Sequence, residues 1–487
     1  MSKTLTDISS NFLNRIAISV FNLLSTPIIL NNLGAFDFGV WSLYTIIIMF
    51  LVMSDFGLSK SGVRFITLHL KNQKLNEIYA SFINLTLVSC LLLVIVGYLL
   101  SNQIIQIFDL ENIENSKYIY YLSLFIGCML IIKGFFVSVI FSFQNYKFYN
   151  WVNVFIEGLR WSGTVFVSFL ENPLINIFIV QATVHLLHNL ILGFYSNKLI
   201  YIKKISFKIY RNTIGEILQF SSQIALSDLF QKIITYSDKI IVSILGTISG
   251  LSFYYIAFQL ISIIYVIPSN ILLVYYTKFG ISFASDKKRE LIKDYNDVNK
   301  LVLLLIIPIL VNLFIASDFL LEIWLKNDLT NEISIILKIF CFGAFAGCLS
   351  LPSLHLSNAI GKPKHVLFSN MYTSILLLSI NIMLINFYGI YGAAIAWSLV
   401  QFFPLFYLTI KMSKELDFNF RRFFYNQFLN PLIKTLASYA ICYLLYILVF
   451  NNIIVFLLSS NILVLIMIYF FVLNNTQRIL IKKYIKK

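Results

Sequence analysis

Charge is what this sequence has least of. Only 12% of the 487 residues are Asp, Glu, Lys or Arg, against 59% hydrophobic, and the mean hydropathy is +0.83. A soluble globule of that size could not cover its surface with so few polar groups, so the chain needs lipid around it. Soluble inserts are missing as well. The longest loop on the less basic side runs roughly from 102 to 117, too short to fold alone, which disfavours a membrane glycosyltransferase or polymerase with a large external catalytic loop. No G-x-x-x-x-G-K-[ST] sequence occurs, which removes a nucleotide-driven pump. The five cysteines, Cys90, Cys128, Cys341, Cys348 and Cys442, lie inside apolar runs without the paired spacing of a zinc or redox site. Cys341 and Cys348 would sit about 10 Å apart along one helix, beyond disulfide reach. The apolar–polar alternation of membrane β-barrel strands is absent too.

What is present is a succession of apolar blocks of about 20 residues, the length of helix that crosses a hydrocarbon core of about 30 Å. They predict about fourteen transmembrane helices, at 12–31, 39–58, 80–101, 118–142, 151–170, 174–196, 214–245, 250–276, 299–320, 333–357, 365–387, 389–410, 431–450 and 453–473. The expected class is an all-α polytopic membrane protein. The first block carries Arg15 and lacks a following small-residue cleavage site, so it reads as a retained helix rather than a signal peptide.

Lys and Arg collect in alternate loops: Lys60, Arg64, Lys71 and Lys74; Lys147; Lys198, Lys203, Lys204, Lys208 and Arg211; Lys278, Lys287, Lys288, Arg289 and Lys293; Lys362 and Lys364; Lys411, Lys414, Arg421 and Arg422. The positive-inside rule makes these cytoplasmic, and the acidic or neutral loops around Asp37, Asp109, Glu111, Glu171 and Glu322 external. The basic tail returns inside, which requires an even number of crossings. The net charge of +15 is thus spread over short loops, not gathered on one nucleic-acid-binding surface.

Two turns look alike. Asn32-Leu33-Gly34 precedes Phe38-Gly39-Val40-Trp41, and Ile244-Leu245-Gly246 precedes Gly250-Leu251-Ser252-Phe253. Each reads as a helix ending in Leu-Gly, a turn closed by a second Gly, then an aromatic-rich helix. A repeat of about six spans keeps orientation and implies an axis along the membrane normal.

The opening Asn14-Arg15, the Leu33-Gly34 to Phe38-Gly39 turn, Ser54-Asp55-Phe56-Gly57-Leu58 with Arg64 behind it, Asp238 ahead of Leu245-Gly246, and Tyr388-Gly389-Ile390-Tyr391-Gly392 resemble the polysaccharide-biosynthesis flippases. These form the O-antigen (Wzx-type) branch of the multidrug, oligosaccharidyl-lipid and polysaccharide exporter superfamily. The resemblance covers nearly the whole chain. It implies two six-helix lobes, 1–212 and 213–412, around a central cavity opening alternately to either side, with two further helices and a basic cytoplasmic tail in 413–487. It also implies export of a polyprenyl-pyrophosphate-linked oligosaccharide across the bacterial inner membrane, without a cofactor, and a polysaccharide polymerase and chain-length regulator as partners.

Such a cargo needs cations, because an unpaired pyrophosphate in hydrocarbon costs several kcal/mol or more. Intramembrane ionisable residues are functional candidates by default. Arg15, Lys133, Arg160, Lys232 and Lys239 are the candidate pyrophosphate contacts, with Arg15 and Lys133 first because neither has a partner on its own helix. Glu157 and Arg160 (i,i+3) and Asp228 and Lys232 (i,i+4) can instead neutralise each other. Asp55, Asp238, Glu157 and Asp228 are the candidates for Na⁺ or H⁺ coupling, although Asp55 can equally cap the turn after it. Lys338 can snorkel to the headgroups. His185 and His188 suit packing, proton relay or, given a third ligand, metal. Trp41, Tyr44, Trp161 and Tyr255 offer faces for stacking sugars.

Three rivals stay open. A peptidoglycan-precursor flippase would use the same chemistry. A multidrug or cation antiporter of the same superfamily would need an apolar cavity with buried carboxylates, which the intramembrane Arg and Lys oppose. A membrane-embedded acyltransferase or polymerase would need a catalytic cluster on one face, which two histidines do not make.

Overall fold

The computed structural model describes residues 2–70, 74–200, 208–326 and 330–445, and among these it is all-helical, with no strand. The helices are α1 (Ser2–Leu51), α2 (Leu58–His69), α3 (Leu75–Leu99), α4 (Ser101–Ile107), α5 (Ser116–Ser142), α6 (Tyr146–Val167), α7 (Pro173–Ile200), α8 (Arg211–Leu245), α9 (Ile248–Ile264), α10 (Val266–Ala284), α11 (Lys288–Leu325), α12 (Thr330–Ala359), α13 (Pro363–Val400), α14 (Phe402–Glu415), α15 (Phe420–Phe424) and α16 (Asn430–Leu445).

Eight helical stretches among the described residues are long and apolar enough to cross a membrane. Two of them, Ser10–His69 and Pro363–Glu415, have 60 and 53 residues, enough for two crossings each. They bend where the sequence allows it: Gly34 adopts φ 75° and Gly389 φ 57°, a region that disfavours any residue with a Cβ. Neither α6 nor α8 is among the eight, since both carry intramembrane charges, yet α6 packs on α1 and α7, and α8 on α1, α2 and α3. Each expected span from 12–31 to 389–410 thus falls on helix. The expected span 431–450 is described only as far as 445, and the span 453–473 with the basic tail lies outside the described residues.

By contacts the chain forms two compact units. One is Met1–Ile256 with Leu378–Ala393, and the other is Ala257–Leu377 with the chain from Ala394 onward. In the first, Leu58, Ile66, Ile78, Tyr79, Phe82, Phe135, Val139 and Ile217 make a buried core shared by α2, α3, α5 and α8. Leu91, Val94, Ile95, Tyr98 and Leu99 on the far face of α3 stay exposed, as a lipid-facing surface requires. In the second, Phe258, Phe340 and Trp397 pack edge to face, with centroids 5.0 to 5.9 Å apart.

The two look-alike turns lie against each other in the first unit. Ser252 Oγ donates to the Ala35 carbonyl, and a Cβ on Gly39 would stand 2.1 Å from the Ile248 carbonyl oxygen. Only glycine permits that approach.

Candidate functional site

The second crossing is broken where Asp55 lies. Helix α1 ends at Leu51, one tight turn follows over Val52–Asp55, and Phe56 and Gly57 take φ 46° and 75° before α2 starts. Asp55 Oδ2 accepts the Ser59 N–H at 3.2 Å, meeting one of the donors that the start of α2 leaves unpaired. A Cβ at Gly57 would meet the Ser221 carbonyl oxygen at 2.8 Å, so this glycine lets α8 lie close. Irregular backbone in a membrane protein is tolerated where it lines a cavity, and this segment lines one.

That cavity has a volume of about 870 Å³, with Asp55, Lys60, Ser221, Asp228 and Lys232 among apolar walls that include Phe56 and Leu226. Lys60 Nζ meets both carboxylate oxygens of Asp228, at 2.6 and 2.8 Å. Lys232 Nζ donates to the Met49 carbonyl at 3.0 Å, one of the acceptors that the end of α1 leaves open. The i,i+4 pairing expected between Asp228 and Lys232 is therefore not the one formed. Each side chain reaches another helix, because the break in the second crossing brings a lysine and a free carbonyl within range.

A second cluster lies deeper, where α5, α6 and α7 meet. Glu157 and Arg160 form the expected i,i+3 pair, at 2.7 and 2.8 Å, and the guanidinium lies 4.6 Å over the Trp161 ring. Lys133 Nζ donates to Asn153 Oδ1 at 3.2 Å. From Asn153 a ladder of amides continues to Asn14 (3.1 Å), Asn150 (3.0 Å) and Asn11 (2.6 Å), tying α6 to α1. Lys133, Arg160 and His185 all lie within electrostatic range of Glu157. His185 is about 18 Å along α7 from Pro173. His188 is fully buried, and among the described residues neither of its ring nitrogens has a hydrogen-bond partner. Among the described residues no group of three His, Cys, Asp or Glu could hold a metal. Trp41 packs edge to face on Trp161 at 6.1 Å, and Phe38 bridges Trp41 to Tyr255 at 5.1 and 6.5 Å, so three of the four candidate stacking residues gather beside Arg160. Tyr44 is elsewhere, donating to the Ser116 carbonyl at 2.9 Å.

The remaining candidates are placed apart. Asp238 and Lys239 are 0% and 1% exposed and pair at 3.1 Å. Tyr254 Oη donates to Asp238 at 2.6 Å, and Lys239 donates to the Thr235 carbonyl at 2.6 Å. Arg15 is exposed, next to the buried Asn14, and no ion pair holds it among the described residues. Lys338, expected to snorkel, is paired with Asp318 at 2.7 Å. Sequence reasoning left Lys60 to a loop, named Asn14 only within the opening Asn14-Arg15 motif, and passed over Asn150 and Asn153. The i,i+3 spacing of Asn150 and Asn153 puts both on one face of α6, and only the neighbouring helix shows what they meet.

A family model described as "Polysaccharide biosynthesis protein" matches residues 33–331. A Shigella flexneri protein assigned as an O-antigen transporter is 23% identical over 387 residues, covering 76% of this chain and 88% of its own. The inward closed structure of the lipid II flippase MurJ superposes with a TM-score of 0.72 at 19% identity, over 93% of this chain and 97% of that one. The Vibrio cholerae MATE transporter VcmN superposes with 0.64 at 13% identity, over 86% and 98%. The fold is that of these membrane transporters, and the match over residues 33–331 makes this chain a member of the polysaccharide biosynthesis protein family.

Proposed function

We propose that the protein is a flippase moving a polyprenyl-pyrophosphate-linked oligosaccharide, an O-antigen or similar repeat unit, from the cytoplasmic to the outer leaflet of the bacterial inner membrane. Transport runs by alternating access between two six-helix lobes, 1–212 and 213–412, coupled to Na⁺ or H⁺. Both termini are cytoplasmic in this reading, and a polysaccharide polymerase and chain-length regulator are its partners. The observation that carries it is the cavity of about 870 Å³ in which two lysines, Lys60 and Lys232, stand among apolar walls. Cations there suit a pyrophosphate, and apolar walls suit the first prenyl units. Asp55 and Asp228 share the cavity with the lysines, so a drug-cation antiporter is opposed only by Lys60 and Lys232 beside them. Lys133, Arg160 and the exposed Arg15 form a second set of phosphate contacts along the path, beside aromatic rings suited to sugars. Asp55, Asp228 and Glu157 are the coupling carboxylates. Asp238 and Lys239, closed off and mutually paired, we assign to structure.

The test is complementation in cells depleted of their own flippase, with surface polysaccharide quantified and membrane levels checked by immunoblot. Replacing Arg15 or Lys133 by Ala removes one charge-assisted contact and should weaken cargo binding roughly ten- to a hundredfold at unchanged protein level. Arg15→Lys should fall between, since the charge stays and the planar fork goes. Wild-type polysaccharide from both Ala variants at limiting expression would remove them from the path.

A further inference from the structure

The second unit carries a pocket to which the proposed transport assigns no part. Between α15 and α16 one turn, Tyr425–Leu429, is wound as a π-helix, a feature that often marks functional sites. With Phe418, Asn419 and Arg422 it faces Ile292 and Asn296 of α11 across a cavity of about 290 Å³. The floor is rigid: Phe423 stacks on Tyr295 at 5.1 Å and 4°, and packs against Phe418 at 4.9 Å and Phe428 at 5.7 Å. Asn419 Oδ1 accepts the Arg422 N–H at 3.0 Å and fixes the entry to α15.

Above that floor the polar groups are unsatisfied. Gln427 is 7% exposed, and among the described residues neither its Oε1 nor the buried Oδ1 of Asn296 has a partner. Buried acceptors without donors are uncommon in folded proteins and each calls for an explanation. Arg422 is exposed on the rim, and among the described residues no acidic side chain pairs with it. The pocket therefore combines acceptors that lack hydroxyl hydrogens with a guanidinium that lacks an anion. An inorganic phosphate would answer only the second need, and a metal cation would be repelled by Arg422.

We propose that this pocket binds a phosphate ester bearing free hydroxyls, with Arg422 gripping the phosphate and Gln427 and Asn296 accepting from the hydroxyls. Lys287, Lys288, Arg289 and Arg421 belong to the same basic stretches, which the charge rule assigns to the cytoplasmic side. Two membrane molecules there carry that chemistry: the glycerol phosphate headgroup of an anionic phospholipid, and the sugar-phosphate end of a lipid-linked saccharide. Only the second source depends on the proposed cargo.

The full chain, purified in detergent, is titrated by native mass spectrometry with phosphatidylglycerol, phosphatidic acid, diacylglycerol and a prenyl-pyrophosphate-linked N-acetylglucosamine. Phosphatidylglycerol should bind about tenfold more tightly than diacylglycerol, and Arg422→Gln should abolish that margin, as the loss of one charged contact implies. Gln427→Leu, or Asn296→Leu should the first fail to fold, should erase the preference for phosphatidylglycerol over phosphatidic acid while leaving phosphate binding intact. If the prenyl-linked sugar displaces phosphatidylglycerol and also weakens on Arg422→Gln, the occupant is the saccharide end; if it does neither, the occupant is the phospholipid. Equal binding of phosphatidylglycerol and diacylglycerol by the native protein, or wild-type behaviour of both substitutions, would overturn the proposal.

Discussion

Helix α8 carries two acid–lysine sets about 15 Å apart along its axis, in opposite surroundings. Asp238 and Lys239 are sealed: they pair with each other, Tyr254 of α9 donates to Asp238, and Lys239 donates to the Thr235 carbonyl of α8. Asp228 and Lys232 stand at the wall of a cavity, and each bonds to a different helix. Lys60 and Asp228 remain 64% and 35% exposed even while paired. A sealed pair with its hydrogen bonds filled has nothing to offer a ligand, and losing one partner strands a charge. An open pair can exchange its partner for a phosphate at little cost. Charge within a span is therefore an incomplete criterion; what matters is whether the packing leaves the charge a second option.

The sharpest way to break this contrast is at the sealed pair. Lys239→Met alone should lower stability by about 3–5 kcal/mol by leaving Asp238 buried and unpaired, and the protein should be lost from the membrane. Adding Asp238→Leu should restore most of the level, seen by fluorescence-detected size exclusion. Normal accumulation of the single variant would mean that the pair is not sealed. Lys232→Ala comes next: transport should drop by roughly ten- to a hundredfold at unchanged melting temperature, since only a carbonyl contact is lost from the fold. A matched loss of stability and transport would instead make Lys232 structural. Gly57→Ala should cost about 1–3 kcal/mol, from a left-handed backbone and the Ser221 carbonyl in its way, and a thermal melt reads it directly. The smallest effect is at Lys60. Lys60→Gln should change stability by under about 1 kcal/mol, as exposed pairs do, while still lowering export. A large stability loss there would erase the distinction between the two sets.

The bilayer made most of the fold legible. An apolar block of about 20 residues has few alternatives to a membrane helix, so most spans up to 389–410 follow from hydropathy, α6 and α8 being the charged exceptions. The bends at Gly34 and Gly389 were announced by glycine. Reading charge was harder. The spacing rule placed Glu157 against Arg160 correctly: of the cations near Glu157, Arg160 forms the ion pair, while Lys133 donates to Asn153. It misjudged Asp228 and Lys232 because the break at Asp55–Gly57 delivers partners from far away in sequence. The same break raised Lys60 from a presumed loop cation to a cavity residue. Residues that meet across helices, such as Asn14 and Asn150, leave no trace in any one helix's periodicity.

The amide ladder from Lys133 through Asn153, Asn14 and Asn150 has an electrical meaning. A unit charge crossing the membrane feels about 2.3 kcal/mol for each 100 mV of potential, whereas a carboxamide carries no net charge and binds no proton at physiological pH. The bonds between α1 and α6 are therefore blind to any voltage or pH difference across the membrane. When the gradient rises or collapses, this clamp holds with the same strength, and the force acts instead on the few groups nearby that carry charge: Lys133, Glu157 and Arg160.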